Sequence, residues 1–203
     1  MLIIGITGGS GSGKSTVSEL FCKLGAHTID ADVVYHKLLN ESEQMMRELK
    51  KRFPKACGSD GRLIRKALAE IVFSDKAALA DLNAIAHKFV IEETEREIAR
   101  LYEQNAQYLC IDAIALFESK LCSICDITIG VIAPRSTRIA RITARDGIDS
   151  MSACARINAQ PEDSFYAENC DYIIVNDESL EATEKEVNNI FNLITKGPEK
   201  NNE

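Results

Sequence analysis

No apolar run in this 203-residue chain approaches the length needed to cross a bilayer. The first residues lack the basic segment and small-residue cleavage site of a secretory leader. No internal repeat or low-complexity tract is present. An excess of positive charge is also missing. The formal net charge is −7, which argues against a broad nucleic-acid interface, although a few local cations can still hold a nucleotide. Together these absences predict a soluble, cytoplasmic protein with neither nucleic acid nor membrane as a partner. What is there is ordinary for a packed fold. Apolar residues make up 45% of the chain, and its length allows one sizeable domain or one core carrying insertions.

Seven cysteines are scattered along the chain, an odd count that does not suit a disulfide framework. Cys122-Ser123-Ile124-Cys125 has the spacing of a redox or zinc motif. Zinc would require a second Cys/His pair at suitable spacing, and none is evident. A thioredoxin-like site would place the motif on the first strand-to-helix turn. The thiols are therefore expected to be reduced and structural.

That first turn holds the sequence Gly8-Gly9-Ser10-Gly11-Ser12-Gly13-Lys14-Ser15-Thr16. It fits G-x-x-x-x-G-K-[ST], follows the apolar run Leu2–Ile6 and precedes helically spaced Val17, Leu20, Phe21 and Leu24. Glycines let the backbone turn tightly and aim successive N–H groups inward, making a concave anion site. The helix N-terminus adds its partial positive charge. Lys14 would reach the outer phosphates, and the Ser15 hydroxyl suits Mg²⁺, which prefers hard oxygen ligands. Gly9, Ser10, Gly11, Ser12, Gly13, Lys14, Ser15 and Thr16 are the candidate nucleotide contacts, with ATP and Mg²⁺ the expected cofactors. A flexible Gly/Ser linker would not stand between a β run and an amphipathic helix.

Strand candidates fall at residues 2–6, 27–30, 108–112, 126–132 and 171–175. Most are near-continuous apolar runs, the pattern of parallel strands covered on both faces. Helical patterns lie between them. The fold class is α/β: a P-loop NTPase-type, mostly parallel sheet with helices on both faces. Residues 1–35, 106–134 and 169–195 would form the nucleotide-binding core. Residues 36–105 read as helices only, too long for a simple crossover, and suggest an inserted substrate domain. Residues 135–168 carry Arg135, Arg138, Arg141, Arg145 and Arg156. Such a stretch can be a solvated helical face, or a lid that closes over phosphates; the second reading is preferred beside a phosphate loop. The segment 196–203 is expected to fray.

Asp30-Ala31-Asp32 closes the second strand candidate. In a parallel sheet the carboxyl ends of the strands face the binding crevice, so both acids would lie near the phosphate loop. Phosphoryl transfer to a hydroxyl calls for a carboxylate that accepts the proton. Asp32 is the candidate base, with Asp30 a supporting partner; a helix N-cap is the plainer use of such a pair.

At this point the chain resembles the dephospho-coenzyme A kinase family over nearly its whole length. The resemblance rests on Ile6-Thr7-Gly8-Gly9 running into Gly11–Thr16, on Ile29-Asp30-Ala31-Asp32, and on Asp60-Gly61-Arg62-Leu63 with Arg65 and Leu68. It continues through Phe73, Leu82-Asn83, His87, Leu116-Phe117-Glu118, Arg141, Arg145-Asp146, Arg156 and Gln160, and ends on Asp171–Ile174 with Asn176. It implies ATP-dependent phosphorylation of the ribose 3′-hydroxyl of dephospho-coenzyme A, the last step of coenzyme A synthesis. It implies that Asp32, Lys14 and Arg141 are catalytic, and that Arg145 and Asn176 join the nucleotide site. Asp32, Arg65, His87 and Glu118 would contact the acceptor. Ser15 would hold Mg²⁺, with Asp32 or Asp112 acting through water. Three departures stand out: Ser10 for an isoleucine, Lys88 for a proline, and Ile114-Ala115 for Pro-Leu. Losing the prolines removes fixed φ angles, one of them in the 113–118 loop. A nucleoside or nucleotide kinase on the same core is the alternative reading, and a GTP-dependent switch is disfavoured because no N-K-x-D string occurs.

Overall fold

Five strands pair edge to edge in the computed structural model, which describes residues 1–177 and 179–196. They are β1 (Leu2–Thr7), β2 (His27–Asp30), β3 (Tyr108–Asp112), β4 (Ile127–Ile132) and β5 (Tyr172–Val175). The helices are α1 (Lys14–Lys23), α2 (Ala31–Glu41), α3 (Glu43–Arg52), α4 (Arg65–Ser74), α5 (Lys76–Glu103), α6 (Arg135–Asp146), α7 (Ser150–Asn158), α8 (Asp163–Asn169) and α9 (Leu180–Lys196). All strand pairs are parallel, in the order β2-β3-β1-β4-β5. Residues 197–203, most of the segment expected to fray, lie outside the described residues. Among the described residues no helix is long and apolar enough to cross a membrane.

Alternation along the strands sorts their side chains between two cores. Ile4, Ile6, Ile129 and Val131 pack against Phe21 of α1 and Val187 of α9. Phe191 adds edge-on contacts with Phe21 and Tyr108. On the other face Leu109 and Ile111 meet Leu38, Leu49 and Phe89 from the helical block. With both faces covered, no solvent-facing row of polar residues is needed, which is why most of the strands, though not β2, read as apolar runs.

Register brings the functional ends together. Asp112 pairs with Ile6 on one side and with Asp30 on the other. The carboxyl ends of β1, β2 and β3 therefore open on one crevice, directly beside the loop that follows β1.

The structure differs from the sequence reading in several places. Asp32 does not close the second strand, because α2 begins at Ala31. Asp30 Oδ1 accepts the backbone N–H groups of Asp32 (2.8 Å) and Val33 (2.9 Å), an N-cap that starts the helix one residue after the strand. Residues 36–105 are not helical throughout. Leu63, read as helical, pairs with Cys57 in a short antiparallel bridge. Asp60 and Gly61 turn the chain between them, with Gly61 at φ 74°. The strands expected from 126 and 171 each start one residue later. Asp126 and Asp171 instead use their carboxylates to accept the N–H groups of Ile3 and Thr128, both at 2.8 Å. The arginine-rich stretch folds into α6, α7 and α8, with Ile142, Ala153 and Ile157 as its own small core.

Candidate active site

The loop between β1 and α1 is shaped from behind as much as by its own glycines. Gly13 sits at φ 98° as the N-cap of α1. A Cβ there would lie 1.8 Å from Asn176 Nδ2, so only glycine fits. Asn176 Nδ2 donates to the Ser12 carbonyl at 2.8 Å, and its Oδ1 accepts from Thr183 Oγ1 at 3.2 Å. Asn176, expected at the nucleotide, is thus buried behind the loop with its amide engaged there. Arg141 donates from one terminal nitrogen to the carbonyls of Gly11 (3.4 Å), Ser12 (3.3 Å) and Asn176 (3.1 Å).

In front of the loop lies a cavity of about 730 Å³. Ser10, Gly11, Gly13, Lys14, Ser15 and Thr16 line it, and so do Asp32, Arg141, Arg145 and Arg156. Gly9 and Ser12 are buried and do not. Burial lowers the Lys14 pKa, against the pull of the Asp112 and Asp32 carboxylates. Burial raises that of Asp32; Asp30 adds to the rise and Lys14 opposes it. Asp112 is also raised by burial, and its Oδ2 accepts from Ser18 Oγ at 3.0 Å. A cation held at the phosphate end and a carboxylate made more basic across from it suit transfer of a phosphoryl group to a hydroxyl.

Arg145 and Arg156 share one acid in this conformation. Arg145 grips Asp146 through Nε at 2.7 Å and a terminal nitrogen at 3.0 Å, and Arg156 pairs with the same carboxylate. The two guanidiniums hold Asp146 down at about 2.

Asp32 also lines a second, smaller cavity of about 180 Å³ with Tyr35, Asn83, Ala86, His87 and Ala113. Burial lowers the His87 pKa, opposed by Glu118. A third cavity, of about 740 Å³, takes Tyr35 as a shared wall and adds Lys50, Arg62, Arg65, Val72 and Leu82. Arg65 donates to Asn40 Oδ1 at 2.7 Å. His87 and Arg65 therefore line different cavities, and Glu118, exposed on the 113–120 turn, lines neither. That turn needs no proline: Ala113 N–H donates to Ile6 at 3.0 Å, Ser119 N–H to Ala115 at 2.9 Å, and Thr7 Oγ1 to Ile114 at 3.2 Å.

The seven thiols are all free. Cys125 is pushed up to about 12 by burial, so it is not poised as a thiolate. Among the described residues no group of three or more His, Cys, Asp or Glu could hold a metal ion. The Ser15 hydroxyl and the anchored Asp112 carboxylate are hard oxygen donors, and Mg²⁺ typically takes few protein ligands beside phosphate and water. The donor set fits that ion and not a dedicated protein cage.

Two buried polar side chains beside the site, Ser18 and Arg138, were not singled out in the sequence. Ser18, three residues after Ser15 on α1, holds Asp112. Arg138, read only as part of an arginine run, is buried against the loop. The helical spacing of Ser18 from Ser15 was available as a signal. Arg138 carried no local signal.

A five-stranded parallel sheet of this order, with a Gly-Lys-Ser loop on its central strand and a carboxylate across the crevice, defines a P-loop kinase. The family model for dephospho-CoA kinase matches residues 2–182. The chain is 34% identical over 189 residues to the dephospho-CoA kinase of Syntrophotalea carbinolica, covering 92% of this chain and 89% of that protein. It superposes on a solved structure from Thermus thermophilus with TM-score 0.81 at 34% identity, over 96% of this chain and 98% of that one. The dephospho-CoA kinase structure from Campylobacter jejuni gives TM-score 0.67 at 27% identity, with the same coverage. The chain belongs to the dephospho-CoA kinase family.

Proposed function

We propose that the protein transfers the γ-phosphoryl group of ATP to the ribose 3′-hydroxyl of dephospho-coenzyme A, giving coenzyme A and ADP. One observation supports the residue assignment above all: Asp32 lines both the phosphate-loop cavity and the pocket of the helical block. Donor and acceptor can then approach one carboxylate from opposite sides. The acceptor oxygen forms the new bond to the γ-phosphorus. The bond from that phosphorus to the bridging oxygen of ADP breaks, and the hydroxyl proton passes to Asp32. Lys14, Arg141 and Arg145 offset charge on the migrating group, the main work in phosphoryl transfer. Mg²⁺ would be held by the Ser15 hydroxyl, with Asp112 acting through water, and would neutralise charge on the phosphate oxygens.

On this reading residues 1–35, 106–134 and 169–195 form the nucleotide core, 36–105 the substrate domain and 135–168 the lid. His87 would contact the acceptor near the reacting sugar, and Arg65 its more distant part. The free thiols support a reducing, cytoplasmic setting. The test is incubation with ATP, Mg²⁺ and dephospho-coenzyme A, followed by product mass and phosphorus–proton coupling. A phosphate on the ribose 3′-oxygen is expected. No product, or a phosphate elsewhere, overturns the assignment.

A further inference from the structure

Arg138 is the one arginine of α6 whose side chain is almost wholly buried, 5% exposed, and it lies against the phosphate loop from outside the nucleotide cavity. Its Nε donates to the Ser10 carbonyl at 3.0 Å. One terminal nitrogen reaches Gln160 Oε1 at 3.3 Å and the other Asp163 Oδ1 at 3.4 Å. Gln160 holds the same loop residue twice more. Its Oε1 accepts the Ser10 backbone N–H at 2.8 Å, and its Nε2 donates to Ser10 Oγ at 2.9 Å. The Ser10 N–H, C=O and side chain are thus gripped by Arg138 of α6 and by Gln160, just beyond α7.

The fit is close. A Cβ on Gly9 would lie 2.1 Å from a terminal nitrogen of Arg138 and 2.7 Å from its Cζ, so the guanidinium lies directly over the Gly9 Cα. Asp163 neutralises it only in part: that contact is long and the acid is 44% exposed. A buried guanidinium so weakly paired is costly unless it serves something. Its field acts on the same loop whose N–H groups would face phosphate.

We propose that Arg138, with Gln160, is a positioning latch that pre-orders the phosphate loop for the nucleotide and anchors the root of the arginine-rich excursion. Ser10 is the pivot. With its N–H and C=O fixed, the following peptide units through Lys14 are set before ligand arrives, so less ordering remains to be done on binding. The latch also divides the excursion. Arg138 and Gln160 tie the excursion to the core, while the side chains of Arg145 and Arg156 line the nucleotide cavity and pair with Asp146 rather than with the loop.

The inference rests on the reading of ATP as donor. The test measures the dissociation constants of ATP and dephospho-coenzyme A by calorimetry, for the full chain and for Arg138→Met, Arg138→Lys and Gln160→Ala, with circular dichroism as the fold control. Unmodified protein that fails to bind ATP overturns the donor reading itself. Given that it binds, Arg138→Met is expected to weaken ATP about tenfold and to leave dephospho-coenzyme A within twofold. Arg138→Lys, which keeps a donor for Ser10 but not the fork to Gln160 and Asp163, should recover part of the loss. Should Arg138→Met fail to fold, Gln160→Ala decides, since it frees Ser10 N–H while leaving the cation in place. Unchanged ATP affinity in a folded variant, or equal weakening of both ligands, overturns the latch.

Discussion

Asp30 Oδ1 accepts the backbone N–H of Asp32 at 2.8 Å, so the first acid of the pair holds the second in the opening turn of α2. The two carboxylates divide the work. Asp30 caps a helix, and Asp32 lines two cavities. Asp32→Asn should therefore keep the fold and bind ATP within a few-fold, while turnover falls by roughly 10²–10⁴, the usual worth of a positioned base. Asp30→Ala should cost about 1 kcal/mol of stability through the lost cap and reduce turnover indirectly. Thermal unfolding and steady-state rates on both variants separate the roles. Turnover that survives Asp32→Asn while ATP binding collapses would make Asp32 a binding residue.

Lys14→Ala should slow transfer about a hundredfold or more and leave the fold intact. Phosphoryl transfer leaves the protein little covalent chemistry, so charge stabilisation carries the rate. Losing one preorganised cation should cost about 3 kcal/mol of transition-state stabilisation or more, roughly a hundredfold in rate. Near-normal turnover in a variant with native circular dichroism would remove Lys14 from the mechanism.

The pH profile follows from two opposite shifts. The Asp32 pKa is raised by burial and by Asp30, so the base is lost at a higher pH than an ordinary carboxylate as the solution is acidified. The Lys14 pKa is lowered by burial, so the cation is lost earlier as the pH rises. We expect kcat/KM for ATP to be bell-shaped and narrower than ordinary carboxylate and lysine pKa values would give. An acid limb at or below the usual aspartate range would contradict the placement of Asp32.

Most of the sheet was legible in the sequence because parallel strands buried on both faces leave apolar runs; β2 is not such a run, and all five strands fall within one residue of the expected bounds. The phosphate loop was legible because its glycines and Lys14 are contiguous. Other features depend on contacts that no local pattern records. Asp32 sits on a helix because Asp30 caps it. Arg138 is buried rather than on a solvated face because Ser10, more than a hundred residues earlier, takes its Nε hydrogen. Asn176 faces the back of the loop because Ser12 offers a carbonyl there. The turn at Ile114-Ala115, which lacks a proline, is held by backbone bonds to Ile6 and Ala115.

The sharpest expectation concerns the acceptor. Dephospho-coenzyme A should be phosphorylated, while adenosine, AMP, uridine and shikimate should be poor acceptors. The cavity at Asp32 and His87 is small, about 180 Å³, whereas the cleft that shares Tyr35 with it offers about 740 Å³ bordered by Arg62, Arg65 and Lys50. That larger space is not lined by Asp32. It suits an extended arm with apolar and anionic parts and has no use for a lone nucleoside. Binding energy from such an arm can be spent on aligning the 3′-hydroxyl, so truncated acceptors should lose turnover as well as affinity. Closure of Arg145 and Arg156 over the phosphates would exclude water as a competing acceptor. Arg65→Ala should then raise KM for dephospho-coenzyme A while leaving the KM for ATP unchanged, because Arg65 lines only the distant cleft. Product mass after incubation with each acceptor decides the matter. A phosphate on a simple nucleoside, with none on dephospho-coenzyme A, would sink the assignment and favour a nucleoside kinase.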